Sequence, residues 1–301
     1  MDERQKLKLV RIGGQGLHFG LPMSQFTTFR VGGEAEVLFV VEKAERLRAM
    51  VAFLTSEGIP FLMVGKGSNI LVKDQGIPGV TIILDGELAR IEEMDNGVIV
   101  AGGGLALTAL LSHCRQQELT GLEFLSGIPG TLGGALAMNA GAWGQEIGAF
   151  VKEIQVITGP GRWEIWGRPQ LSFSYRSLVL PQGTVIAKAW LQLERSGAER
   201  VSRKISEYMD RRRQTQPLSE PSAGSVFKNP GNDFAGRLIE EAGLKGKQIG
   251  GAMISKMHGN VIVNTGGAKA EDILALMTLA RDRVKAMTGI ELETEIKIIG
   301  C

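Results

Sequence analysis

Several residue types that most directly signal a function are scarce in this chain. It has two cysteines, Cys114 and Cys301, in 301 residues. That is too few for a disulfide framework, and they form no Cys-x-x-Cys pair or Cys/His cluster. Cys114 falls on an apolar helical stripe, where a buried structural thiol is expected. Three histidines, His18, His113 and His258, give little with which to build a Ser-His-Asp triad, and no Gly-x-Ser-x-Gly elbow is present. Neither sign of charge dominates. The 34 Lys and Arg against 32 Asp and Glu leave a formal net charge of +2, too little for a basic field that would hold nucleic acid. A long apolar run is also missing. Residues 124–144 carry no charge, but Gly127, Pro129, Gly130, Gly133, Gly134, Gly141 and Gly144 break them too often for a membrane helix. The start, Met1-Asp2-Glu3-Arg4-Gln5-Lys6, lacks the apolar stretch of a signal peptide. The expectation is a reduced, soluble, cytoplasmic protein with no bound metal, no nucleic acid and no membrane insertion.

What is present reads as an ordinary globular chain, 44% hydrophobic and 22% charged, long enough for two or three domains. Residues 35–64 suggest a β-α-β unit. The apolar run Val37–Val41 is a buried strand, Leu47, Met50, Val51 and Leu54 follow at helical spacing, and Phe61–Val64 return as a strand. Residues 80–157 read as strands with one helix at 105–117, and Asp95-Asn96-Gly97 marks a hairpin turn. A second hairpin spans 151–166 around Gly159-Pro160-Gly161, and Thr184–Leu193 forms a further strand. Beyond residue 196 the texture becomes more charged. A helix is expected over 198–213, a loop over 214–224, and helices near 233–242 and 270–288. A strand over Glu291–Ile299 closes the chain, with Glu293, Glu295 and Lys297 on one face.

Five segments could carry chemistry. Gly65-Lys66-Gly67-Ser68-Asn69 leads a buried strand straight into a glycine turn, either a tight turn alone or a concave anion site of backbone N–H groups. The segment Gly127–Ala135 and its continuation Asn139–Gly144 match neither a Walker A loop nor the Gly-x-Gly-x-x-Gly fingerprint. They suit either a glycine-rich connection or a backbone packed against a large ligand, and with the first loop they would suit a dinucleotide. Phe173-Ser174-Tyr175-Arg176-Ser177 offers an arginine that could clamp a carboxylate, or a surface arginine on a loop. In Gly224-Ser225-Val226-Phe227-Lys228-Asn229 a serine stands near a lysine. The glutamates of the C-terminal strand read most simply as a solvated face. Arg211-Arg212-Arg213 is ordinarily a solvated helix end, but could face a pyrophosphate.

Taken in order, these segments resemble the UDP-N-acetylenolpyruvoylglucosamine reductase (MurB) family of flavoenzymes. The resemblance rests on Thr28–Gly33, Gly65–Leu71, Gly121–Phe124, Gly127–Thr131, Met138–Ala142, Phe173–Arg176, Gly224–Pro230 and Glu291–Gly300, and spans roughly residues 24–300. It implies an α+β fold of the vanillyl-alcohol-oxidase/p-cresol-methylhydroxylase FAD-binding type with a C-terminal α+β substrate domain. The implied division is 1–65 for the first FAD-binding subdomain, completed by the strand 291–301, then 66–197 for the second and 198–290 for the substrate domain. FAD would be held by Gly65, Lys66, Gly67, Ser68, Asn69, Ile70, Ile128, Pro129, Gly134 and Gly141. The first loop carries Ser68 and no histidine, so the flavin would be non-covalent.

The resemblance also implies a reaction and its residues. NADPH would supply a hydride through FAD to the enolpyruvyl ether of UDP-N-acetylglucosamine enolpyruvate, in peptidoglycan precursor synthesis. Arg176 and Glu295 would stabilise the charge developing on the carboxylate, and Ser225 would protonate the second carbon. Lys228 is the nearest cation in sequence to support the serine alkoxide. Tyr175, Arg213, Lys228 and Asn229 would contact substrate. No tyrosine-bearing insertion follows strand 184–193, so the chain resembles the shorter form of the family, acting as a monomer. Leu178 and Gly259 depart from the family's usual serine and alanine. An FAD-dependent oxidase of the same fold class is the alternative reading, and a non-catalytic nucleotide-binding protein a third.

Overall fold

The computed structural model describes residues 1–231 and 233–301. Contacts group the chain into two compact units. Unit 1 comprises Met1–Phe19, Val37–Gly65 and Gly79–Asp210; unit 2 comprises Gly20–Glu36, Lys66–Pro78 and Arg211–Cys301.

The expected β-α-β unit is present with one difference. The strand Glu34–Val41, the helix Ala44–Ser56 and the strand Phe61–Met63 follow in sequence. The sheet order is Leu17–Pro22, Glu34–Val41, Ile77–Leu84, Phe61–Met63, so a later strand slots between the two. Phe61–Met63 runs parallel to Ile77–Leu84, with Phe61 opposite Val80. The helix seals Leu47, Met50, Val51 and Leu54 completely, at about 1.5–3 kcal/mol for each side chain taken from water. Its N-cap residue, Lys43, makes no side-chain cap. The cap comes instead from Glu87, whose carboxylate accepts from the Ala44 N–H at 2.5 Å. That bond is the chief reason the Glu87 carboxyl lies below its usual range.

A second core in unit 1 lies against an antiparallel sheet of five strands. Their order is Arg162–Gly167, Val151–Thr158, Val185–Gln192, Val98–Gly102 and Ile91–Glu93. Both sequence-predicted hairpins form: Thr158 pairs with Arg162, and Glu93 with Ile99. The helix Leu107–Gln116 buries Leu107, Leu110, Leu111 and Cys114 beside Ile99, Phe124, Ile154 and Ala189. Burial, with the nearby Glu123 charge as a smaller cause, pushes the Cys114 thiol up to about 12. It is a structural thiol, not a nucleophile.

Unit 2 is built on a four-stranded antiparallel sheet ordered Ser222–Ser225, Val261–Asn264, Ala252–Ile254, Gln248–Ile249. The helices Ala235–Glu241 and Ala270–Thr288 pack into a core with Val226, Phe227, Ile273, Leu276, Leu292 and Ile296. The longer helix ends at Gly289 in the left-handed region, φ 75°.

One expectation needs correction, and it concerns the C-terminal strand. The helix predicted over 198–213 runs Ala198–Thr215. Residues 20–36 and 66–78 group with the C-terminal part, and the physical ties are specific. Asp74 caps the helix Ala270–Thr288, accepting from Ala270 N–H at 2.9 Å and Glu271 N–H at 3.1 Å. The Asn264 amide donates to the Phe29 carbonyl at 2.9 Å. Finally, Glu291–Ile299 is not one strand. Only Lys297–Ile299 is, and it pairs parallel with Ile70–Val72 rather than with any strand of residues 1–65. Ile298 is 39% exposed while Ile296 is 2% exposed, so strict alternation fails. The reason is a change of partner: residues before 297 bond to the segment after Ser225.

Candidate active site

In unit 1 the two glycine segments meet. The strand Phe61–Met63 delivers the chain to Gly65, which lies against Thr131. A Cβ on Gly65 would stand 2.4 Å from Thr131 Oγ1, so no side chain fits there. Thr131 is the N-cap of the short helix Leu132–Ala137, and its hydroxyl accepts from the Gly134 N–H at 3.4 Å. Gly134 is exposed, and so is Pro129; Ile128 is half-buried against the core. Gly65 thus serves the close packing of the two segments, while Gly134, with only Thr131 Oγ1 at 3.5 Å from where its Cβ would be, leaves exposed backbone beside them.

The arginine is set by a second pair of hairpins in the same unit. Gly141–Ala142 pairs with Gln145–Glu146, and Phe173–Ser174 with Ser177–Leu178. Leu178 is buried. Tyr175 and Arg176 form the turn of the second hairpin. Arg176 has φ 57°, a conformation that costs a non-glycine residue about 1–2 kcal/mol. Its guanidinium lies over the Tyr175 ring, 4.8 Å from the centroid, and Nη1 is 3.2 Å from where a Gly141 Cβ would be. Asn139, buried, ties the two hairpins together. Its amide donates to Glu146 Oε2 at 2.7 Å and to the Ser174 carbonyl at 2.9 Å, and its oxygen accepts from the Gly148 N–H at 3.0 Å.

Unit 2 brings together three other expected segments. The strand Ser222–Ser225 bulges: Ser222 faces Val263 and Ser225 faces Val261, with Gly224 at φ 68°. Such a bulge redirects the strand, and nothing lies within 4 Å of where a Gly224 Cβ would be. Ser225 is half-buried. The next residues pair with the C-terminal segment. Glu295 N–H donates to the Val226 carbonyl and Lys228 N–H to the Glu293 carbonyl, both at 2.8 Å. Asn69 joins from the glycine loop. Its amide donates to the Glu295 carbonyl at 3.3 Å, and its own carbonyl accepts from Lys297 N–H at 3.0 Å. Gly67 is buried in that loop, and its carbonyl accepts from Thr28 N–H at 3.3 Å.

The Lys228 ammonium pairs with Glu293 Oε1 at 2.5 Å. Asn229 caps a helix, accepting from Ala235 N–H at 3.1 Å. Lys66 and Arg213 are exposed, while Ser68 and Ile70 are half-buried. The residues that sequence reasoning left without a role are Asn139 and Asn260, both buried polar side chains. For Asn139 the signal was present, since it stands inside Met138–Ala142, a segment that carried the family resemblance; Asn260 lies outside every such segment.

His258 sits behind Asn260. Burial first, then Lys245, hold its imidazole below the usual 6.5, against a smaller opposing effect of Glu240. Nδ1 accordingly accepts the Asn260 N–H at 3.1 Å. Because the folded value is the lower one, the unfolded chain takes up the proton first as pH falls. The stability contributed by neutral His258 is complete above about 6.5 and is lost as pH falls from there through the folded value. Melting temperature should therefore drop between pH 7.5 and 5.5, and His258→Gln should flatten the drop. Parallel curves for the two proteins would contradict this.

Comparison with known proteins agrees with the geometry. Residues 35–165 match the family described as "FAD binding domain", and residues 216–299 match "UDP-N-acetylenolpyruvoylglucosamine reductase, C-terminal domain". The crystal structure of UDP-N-acetylenolpyruvylglucosamine reductase (MurB) from Thermus caldophilus superposes with a TM-score of 0.81 at 38% identity, covering 93% of this chain and 98% of that one. These matches define an FAD-binding oxidoreductase with an α+β fold. UDP-N-acetylenolpyruvoylglucosamine reductase of Caldanaerobacter subterraneus subsp. tengcongensis is 42% identical over 98% of this chain and 97% of its own. That of Bacillus velezensis is 39% identical over 93% and 92%. The chain belongs to the UDP-N-acetylenolpyruvoylglucosamine reductase family.

Proposed function

We propose that the chain uses NADPH to reduce the enolpyruvyl ether of UDP-N-acetylglucosamine enolpyruvate to UDP-N-acetylmuramate, a cytoplasmic step of peptidoglycan precursor synthesis. Gly65 to Ile70, with Ile128, Pro129, Gly134 and Gly141, would hold non-covalent FAD, which would supply the hydride chemistry of the reduction. An enol ether is electron-rich and accepts hydride poorly, so the neighbouring carboxylate must take up charge. Arg176 offers that carboxylate a planar pair of donors. Glu295 assists only by donating a hydrogen bond, which requires its carboxyl to be protonated when substrate is bound. Ser225 gives its hydroxyl proton to the second carbon, so the product gains one hydride and one proton. Tyr175, Arg213, Lys228 and Asn229 contact the sugar nucleotide. Lys228, whose ammonium pairs with Glu293, keeps further N–H donors with which to support the developing Ser225 alkoxide.

The observation that carries this reading is the bond from the Glu295 N–H to the Val226 carbonyl, which places the Glu295 backbone one residue from Ser225. An oxidase would need neither residue. Purified protein is expected to be yellow, to release FAD on acid denaturation, and to bleach with NADPH. A colourless protein that takes up no added FAD would contradict the proposal.

A further inference from the structure

Asn260 is 3% exposed, and every polar group it carries is engaged. Its side-chain amide grips both sides of one residue. Oδ1 accepts from the Phe227 N–H at 2.9 Å, and Nδ2 donates to the Phe227 carbonyl at 2.8 Å. Its own carbonyl accepts from the Val226 N–H at 2.9 Å. Three hydrogen bonds from Asn260 therefore fix the two residues that follow Ser225. The need for them is local. After the bulge at Ser225 the segment leaves the sheet, and the ladder with Val261–Asn264 stops. The Asn260 amide reproduces the pair of bonds a strand neighbour would have made at Phe227. On the far side the Val226 carbonyl receives the Glu295 N–H at 2.8 Å. Residues 226–228 are thus held between Asn260 and the Glu293–Glu295 segment.

We infer that Asn260 is a positioning residue for proton transfer: by clamping Val226 and Phe227 it fixes Ser225, and the Glu295 backbone bonded to Val226, in the geometry the protonation step needs. The inference rests on the reading of Ser225 as proton donor. Without the amide, the buried Phe227 N–H and carbonyl lose their partners and the segment must shift to satisfy them. A misplacement on the order of 1 Å costs ~10²-fold in rate.

The test separates two half-reactions in the FAD-loaded enzyme under anaerobic conditions. NADPH bleaches the flavin; the enolpyruvyl sugar nucleotide restores its colour. Asn260→Ala should leave bleaching unchanged and slow the return of colour by ~10²-fold. Amide hydrogen exchange at Phe227 should quicken. Asn260→Asp keeps an acceptor for the Phe227 N–H but loses the donor to its carbonyl, and should fall between wild type and Asn260→Ala. Because Asn260 acts through Ser225, the Ser225→Ala/Asn260→Ala double variant should be no slower than Ser225→Ala. A normal return of colour in Asn260→Ala, an equal loss of bleaching, or fully additive effects would each overturn the inference. If Ser225→Ala restores colour at the wild-type rate, the proton-donor reading falls and this role falls with it. If Ser225→Ala is slow and Asn260→Ala fast, only the positioning role falls. Should Asn260→Ala yield no yellow protein, Asn260→Asp is judged by the same criteria.

Discussion

Ser225→Ala is expected to leave bleaching of the flavin by NADPH intact and to slow its reoxidation by the enolpyruvyl sugar nucleotide by ~10²–10⁴-fold, equivalent to about 3–5 kcal/mol in the barrier. The argument runs from the bulge. Gly224, at φ 68°, is exposed before Ser225, while Val226 and Phe227 after it are buried to 1% exposure. The half-buried serine stands on a well-packed base. Truncating one hydroxyl there removes a proton source without disturbing the core. Reoxidation at the wild-type rate, read by stopped-flow absorbance, would remove Ser225 from the mechanism.

Arg176→Gly should separate stability from activity. Arg176 is held at φ 57°, where glycine is at no disadvantage. Relief of that strain, about 1–2 kcal/mol, is set against every contact of the Arg176 side chain and the added freedom of the unfolded chain, so melting temperature should change little beside turnover. Turnover should fall by ~10²–10³-fold, the usual cost of removing one donor aimed at developing charge. Arg176→Lys should not rescue it, because a point ammonium cannot match a carboxylate with two parallel donors. A variant that melts much earlier would show that Arg176 is kept for structure. Arg176→Lys at full turnover would show that its planar fork is not used.

Much of this was legible in the sequence because it depends on local pattern. The β-α-β unit followed from an apolar run, a helical stripe and a return strand. The hairpins at 95–97 and 159–161 followed from their turn residues. The glycine segments were recognisable as special, but their mutual contact was not: Gly65 against Thr131 is a meeting of residues far apart in the chain. The C-terminal segment misled for a related reason. Alternation in 291–299 suggested one strand, whereas the chain bonds first to residues 226–228 and then to Ile70–Val72. A change of partner leaves no mark on periodicity. The interleaving of residues 20–36 and 66–78 with the C-terminal part was hidden likewise, since single residues such as Asp74 carry it. The Lys228 ion pair was hidden too, because Glu293, its partner, lies 65 residues away.

The most direct measurement mixes anaerobic, NADPH-reduced protein with UDP-N-acetylglucosamine enolpyruvate and follows flavin colour and product together. The account predicts that colour returns and that one equivalent of UDP-N-acetylmuramate forms for each flavin reoxidised. Colour that returns only on admitting oxygen, with peroxide formed and the enolpyruvyl group intact, would contradict it.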